Sequence, residues 1–219
     1  MKRFLLSLAA LALLCGGASA QVPCVGVGGV NTVPQTGTAC SQEPAVNSYA
    51  ATAVALVAAA TPTDIACISG VANKIIRIQQ VKVSGTITTQ LALPVFLTKH
   101  AALNTGGTPA TGTALPGPYA LDSSDATVGA TTTSWTANPT IADASPGIID
   151  SAVLVLSKAD STNGSGNTGV VWDYQLHQYM EAPTLRAAAQ QICVNLNANA
   201  GTMTGNAISV TFRWTESAQ

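Results

Sequence analysis

The feature that most constrains this chain is a series of short alternating apolar runs, each cut off by turn residues, from Asp64 to the C-terminus. Ile208, Val210, Phe212 and Trp214 alternate with Ser209, Thr211 and Arg213, and Ile192, Val194 and Leu196 alternate with Cys193 and Asn195. A period of two puts one set of side chains on one face of a strand, so both runs read as half-buried strands. The intervening Asn197–Asn206, NANAGTMTGN, carries turn chemistry and predicts a C-terminal antiparallel hairpin.

The same pattern recurs upstream. In Ile75–Ser84, IIRIQQVKVS, Ile76 and Ile78 share one phase while Val81 and Val83 share the other, and a phase change inside a strand predicts a β-bulge. Leu91, Leu93, Val95 and Leu97 alternate around Pro94, which cannot donate to a ladder, so this strand is expected at a sheet edge. Tyr49–Ala60, Thr131–Ala137 and Ile148–Leu156 read as further strands, and Val170–Tyr174 and Thr184–Ala188 as weaker ones. Asn104–Pro118 and Asp160–Gly169 are loops rich in Gly, Asn, Thr and Pro. Eight to ten such strands and no amphipathic helix predict an all-β chain, an antiparallel β-sandwich of jelly-roll-like form.

Composition supports that architecture and removes several functions. Only 9% of the residues are charged, so strand faces turned to water must rely on Thr, Ser and Asn. A formal net charge of -1 with no polybasic patch excludes a nucleic-acid partner. At the N-terminus, Lys2 and Arg3, an apolar run from Phe4 to Leu14 and Ala18-Ser19-Ala20 form the three parts of a secretory signal peptide over residues 1–20. Eleven residues in the apolar run fall short of the roughly 20 that a membrane helix needs, so no stable membrane span is expected after cleavage. Residues 21–47, rich in Gly and Pro, read as an N-terminal arm, and 48–219 as the sandwich domain.

Export to an oxidising compartment, secreted, periplasmic or extracellular, gives the four remaining cysteines a role as two disulfides. Of the three possible pairings, Cys24 with Cys40 and Cys67 with Cys193 are preferred: the first closes a short loop, the second ties an early strand to a late one. No C-x-x-C pair is present, so neither a metal site nor a cofactor is expected.

No residues assemble into a catalytic motif. His100 and His177 read as ordinary surface or interface histidines, and no G-x-S-x-G elbow accompanies the serines. The one tight acidic group, Asp122 to Asp125, reads as an Asx-type turn in preference to a calcium loop. Trp214 falls on the apolar phase of its strand and belongs to the core. Trp172 and Tyr174, with Asn163 in the adjacent loop and Tyr119, make the expected contact surface.

Four runs carry a family likeness: TPTDIACISGVANKIIRIQQVKVSG (61–85), VFLTKHAALNTGGTPATGTALP (95–116), LDSSDATVGATTTSWTANPT (121–140) and the pair QQICVNLN and ISVTFRWTE. They resemble a group of mostly uncharacterised, β-rich, virion-associated structural proteins of tailed bacteriophages, here with an added signal peptide. The resemblance implies a non-enzymatic structural or attachment protein, secreted or on a virion surface. Such a protein would act through self-association or contacts with virion or cell-surface proteins or glycans. A secreted hydrolase using loop Asp residues and a periplasmic small-ligand-binding module are the alternatives.

Overall fold

Alternation builds the sandwich strand by strand. The computed structural model describes residues 46–56, 63–86, 91–110, 117–143, 147–156, 169–175, 181–196 and 207–219. All of them belong to one compact unit, Val46–Gln219. Residues 1–45, with the expected signal peptide, Cys24 and Cys40, lie outside the described residues, as do Asn163 and His177.

Twelve strands and no helix occur among the described residues. In chain order they are β1 (Asn47–Leu56), β2 (Thr63–Ser69), β3 (Lys74–Thr86), β4 (Leu91–His100), β5 (Thr108–Pro109), β6 (Tyr119–Ala120), β7 (Thr131–Ala137), β8 (Gly147–Leu156), β9 (Val170–Asp173), β10 (Thr184–Leu185), β11 (Gln191–Leu196) and β12 (Ala207–Ala218). One sheet runs β10-β3-β12-β1-β6, with β9 also paired to β3; the other runs β5-β7-β2-β11-β4-β8. Every pairing is antiparallel. The fold is therefore an all-β sandwich of two antiparallel sheets.

A single apolar cluster lies between the sheets. Ile76, Ile78, Val81, Val83, Ile208, Val210 and Phe212 come from one sheet, and Ile68, Leu93, Val95, Leu97, Leu154, Ile192 and Val194 from the other. Trp214 stacks on Tyr49 across the β1 and β12 ladder, with ring centroids 5.9 Å apart. The expected bulge in β3 is present: Gln80 pairs with Arg213 and Ile78 with Trp214, which leaves Gln79 as the extra residue. That residue lets both pairs of apolar side chains on β3 face inward despite their opposite phases.

Two sequence expectations are corrected. β11 and β12 are not a hairpin, because β11 pairs with β2 and β4 whereas β12 pairs with β1 and β3 in the opposite sheet. Alternation reports that one face of a strand is buried; it does not identify the neighbour. β4 is also not an edge strand, since it lies between β11 and β8. The β11 ladder ends at the Leu196 and Val95 pair, so Pro94 sits just past it, where a missing N–H removes no bond to β11. The edge on that side of the sheet is β8.

Cys67 and Cys193 stand directly opposite each other on β2 and β11 and are joined as a disulfide. Their separation of 126 residues corresponds to a loop-entropy stabilisation of roughly 5 kcal/mol. No helix among the described residues is long and apolar enough to cross a membrane.

Candidate functional site

In an open sandwich one face of each sheet meets water, yet all six residues of β11 and all seven of β2 are buried. The inward side chains meet the other sheet. The outward ones lie beneath the loops that follow β4 and β7, and they form a polar layer instead of an apolar one. The disulfide and Trp135 make its apolar part. Asp64, Thr98, His100 and Asn195 make its polar part, and each is at least nine-tenths buried.

Asp64 organises this layer. Its Oδ1 accepts from Asn195 Nδ2 at 2.8 Å and its Oδ2 from Asn104 Nδ2 at 2.6 Å. His100 Nε2 lies 3.1 Å from Asp64 Oδ2 and 3.0 Å from Thr98 Oγ1. Buried carboxylates require such donors, because an unpaired charge away from water costs several kcal/mol. Asn104 extends the network into the loop: its Oδ1 accepts from Ala142 N at 3.4 Å, and next to it Thr105 and Thr140 bridge through their backbones. The two glycines after Thr105 make that path possible. Gly106 and Gly107 have φ of 66° and 70°, and a Cβ on Gly107 would meet Ala137 O at 2.7 Å.

The histidine invites comparison with a hydrolytic triad, and the geometry differs from one. A triad base uses one ring nitrogen for the nucleophile and the other for the carboxylate. Here Nε2 faces both Asp64 and Thr98. Nδ1 lies 3.6 Å from Asp143 Oδ2, too far for a hydrogen bond, and Asp143 is engaged by Ala101 N at 2.7 Å. The arrangement ties strands to loops. His100 is thus no surface residue, contrary to expectation; it is 1% exposed. Asp64, Cys67 and Cys193 also bring potential metal ligands within 4.8 Å of one another, but both sulfurs are committed to the disulfide.

A second fastener works on the other sheet. Glu216, 3% exposed at the end of β12, accepts from Gly129 N, Ala130 N and Trp214 Nε1 and pairs with Lys74 Nζ at 2.7 Å. Burial pushes its carboxyl upward, but the Lys74 ammonium and the N–H groups of Ala130, Trp214 and Gly129 together outweigh it and hold it below its ordinary 4.5. The same loop is held by Tyr49 Oη donating to Ala126 O at 2.7 Å and Ser48 N donating to Asp125 Oδ2 at 2.8 Å. Asp122 forms the expected Asx-type turn: its Oδ1 accepts from Ser124 N at 2.8 Å and from Ser124 Oγ at 2.7 Å. Those bonds lower the Asp122 pKa.

The expected contact surface does not form as one patch. Trp172 on β9 and Tyr174 just after it are buried in the core, whereas Val171 takes the outward phase. Burial pushes the Tyr174 hydroxyl up to about 12. Tyr119 alone of the four is exposed among the described residues, at 67%. The exposed apolar side chains concentrate elsewhere, on β8, where Ile148, Ile149 and Val153 face water.

Two depressions meet at Lys99 and Gln190. One, of about 590 Å³, is lined by His100, Ala101, Ala142, Asp143 and Gly147 in addition to those two residues. The other, of about 630 Å³, adds Arg77, Glu181, Ala182, Pro183, Thr184 and Arg186. No protein-family model, curated protein or solved structure matches this chain.

Proposed function

We propose that this is a non-enzymatic structural or attachment protein, working outside the cytoplasm or on a virion surface through protein contacts, and that its first partner is a second copy of itself. Strand β8 carries this reading. It is ten residues long, pairs with β4 alone among the named strands, and has a single charged residue, Asp150. Natural edge strands are normally shortened, bent or guarded by lysine or proline, because unpaired N–H and C=O groups invite another strand. β8 has neither lysine nor proline; its one irregularity is a bulge at Ile149, the regular stretch from Asp150 onward stays open, and the strand adds exposed Ile148, Ile149 and Val153.

A second copy offers the same edge, so antiparallel pairing about a two-fold axis is self-complementary. With the axis between Ser151 and Ala152, Asp150 of one copy faces Val153 of the other and the two carboxylates stay apart. The likeness of the Asn104–Thr108 and Asp122–Asp125 motifs to virion-associated proteins supports the same reading. So does the low charge of the chain, since few ions need desolvation at an interface.

Analytical ultracentrifugation of the chain and of an Ile148→Lys/Val153→Lys variant tests it. The chain should sediment as a dimer or larger assembly and the variant as a monomer with unchanged melting temperature, because both side chains are exposed. A chain that stays monomeric at about 100 µM, or a variant that keeps the assembly, overturns the proposal.

A further inference from the structure

We infer that the larger depression, beside β10, binds an acidic saccharide through its carboxylate or phosphate group. This site is independent of the β8 edge. Cations are scarce in the chain: nine Lys and Arg in all, of which Lys2 and Arg3 fall in the leader-like segment. Three of the remaining seven, Arg77, Lys99 and Arg186, line this one cavity. They face one acid, Glu181, so the site carries an excess of two positive charges in a chain whose formal net charge is -1.

Among the described residues the two guanidinium groups are uncommitted: neither Arg77 nor Arg186 takes part in an ion pair. Lys99 Nζ spends one donor on Thr184 O, at 2.8 Å, and keeps two. Unpaired guanidinium forks beside an ammonium suit the planar oxygens of a carboxylate or the tripod of a phosphate.

The wall behind them is fixed before any ligand arrives. Ile78 N donates to Pro183 O at 2.9 Å, and Thr184 and Leu185 pair with Arg77 and Ile76. Gln190 Oε1 accepts from Arg186 N at 2.8 Å, which closes the turn that presents Arg186. A fixed wall removes part of the ordering cost of binding.

The remaining lining selects a sugar over a bare ion. Glu181, Thr184 and Gln190 offer acceptors and donors for hydroxyl groups, and Ala182 and Pro183 offer an apolar surface for C–H edges. A volume of about 630 Å³ lies within the range of small-ligand sites.

Titration calorimetry of the full chain with galacturonate, galactose 6-phosphate and galactose tests the site. Both acidic sugars should bind saturably, the tighter one identifying the preferred anion, and galactose should bind at least about tenfold more weakly. Arg77→Gln and Arg186→Gln should each weaken the acidic sugars by about tenfold, and raised salt should weaken them too. Both residues are exposed, so the variants keep the fold, which an unchanged melting temperature verifies. Lys82→Gln, an exposed cation on the same strand outside the cavity, should leave binding unchanged. The inference is overturned if neither acidic sugar saturates by about 10 mM, if galactose binds equally well, or if Lys82→Gln matters as much as Arg77→Gln.

Discussion

Two buried carboxylates, one on each sheet, do the same job with different chemistry. Glu216 fastens the loop around Gly129 to β12, and Asp64 fastens the loop around Asn104 to β2 and β11. Glu216 is matched by a permanent cation, two backbone amides and an indole. Asp64 has no Lys or Arg; its donors are two side-chain amides, with a histidine beside it. Lys74 is one-third exposed, so the Glu216 fastener reaches water, whereas Asp64 and His100 have fully buried side chains. The difference shows where each loop draws its stability. Solvent can take over part of what Glu216 provides and less of what Asp64 provides, since Asn195 and His100 are buried with it.

The largest expected effect follows directly. Asp64→Ala leaves buried Asn195 without its acceptor, leaves Asn104 only the weak disulfide sulfurs and leaves His100 only Thr98. Each stranded buried donor costs about 1–3 kcal/mol, so the variant should lose about 3–5 kcal/mol. Asp64→Asn retains one acceptor and should lose roughly half of that. Urea unfolding reads both as a lower midpoint at unchanged slope. A loss below about 1 kcal/mol in Asp64→Ala would end the distinction between the two fasteners.

The next effect is smaller and depends on pH. Glu216→Gln keeps the shape and one acceptor oxygen but removes the charge, and should cost about 2 kcal/mol at neutral pH. The folded-state pKa of Glu216 is depressed, so the carboxylate contributes stability that is fully present above its ordinary 4.5 and is lost as pH falls through the lower folded value. Thermal unfolding of the unmodified chain should therefore decline on the acid side of pH 4.5, and Glu216→Gln should flatten that decline. An identical acid limb in both proteins would place the acid sensitivity elsewhere.

The sequence made one kind of information legible and hid another. The bulge at Gln79 was visible because two pairs of apolar residues on one strand sit in opposite phases, and Trp214 was visible because its phase is unbroken. Both are properties of a single strand. The Asp64 layer depends on register: Asn195 and Asp64 face each other only because β11 pairs with β2, and His100 arrives because β4 lies on the other side of β11. Polar residues on otherwise apolar strands, Asp64 and Asn195, were the available signal. They indicated a second buried face without saying which strands would share it. Trp172 and Tyr174 failed for the opposite reason. Their common face was legible, but only the pairing of β9 with β3 turns that face inward.

The smallest effect sharpens the comparison most, because it separates the cation from the amides around Glu216. In Lys74→Met the ammonium goes, while Gly129 N, Ala130 N and Trp214 Nε1 still hold the carboxylate. Lys74 is partly exposed, so its pairing is screened, and its loss should cost no more than about 1 kcal/mol. That cost should shrink in about 0.5 M salt, where the Debye length is only a few ångströms. The Asp64 variants, which lose a fully buried carboxylate held by neutral side-chain amides, should show the same deficit at either salt concentration. Parallel urea titrations at low and high salt make the measurement. A salt-independent deficit in Lys74→Met would mean that its methylene stem, packed against Gly129, matters more than its charge.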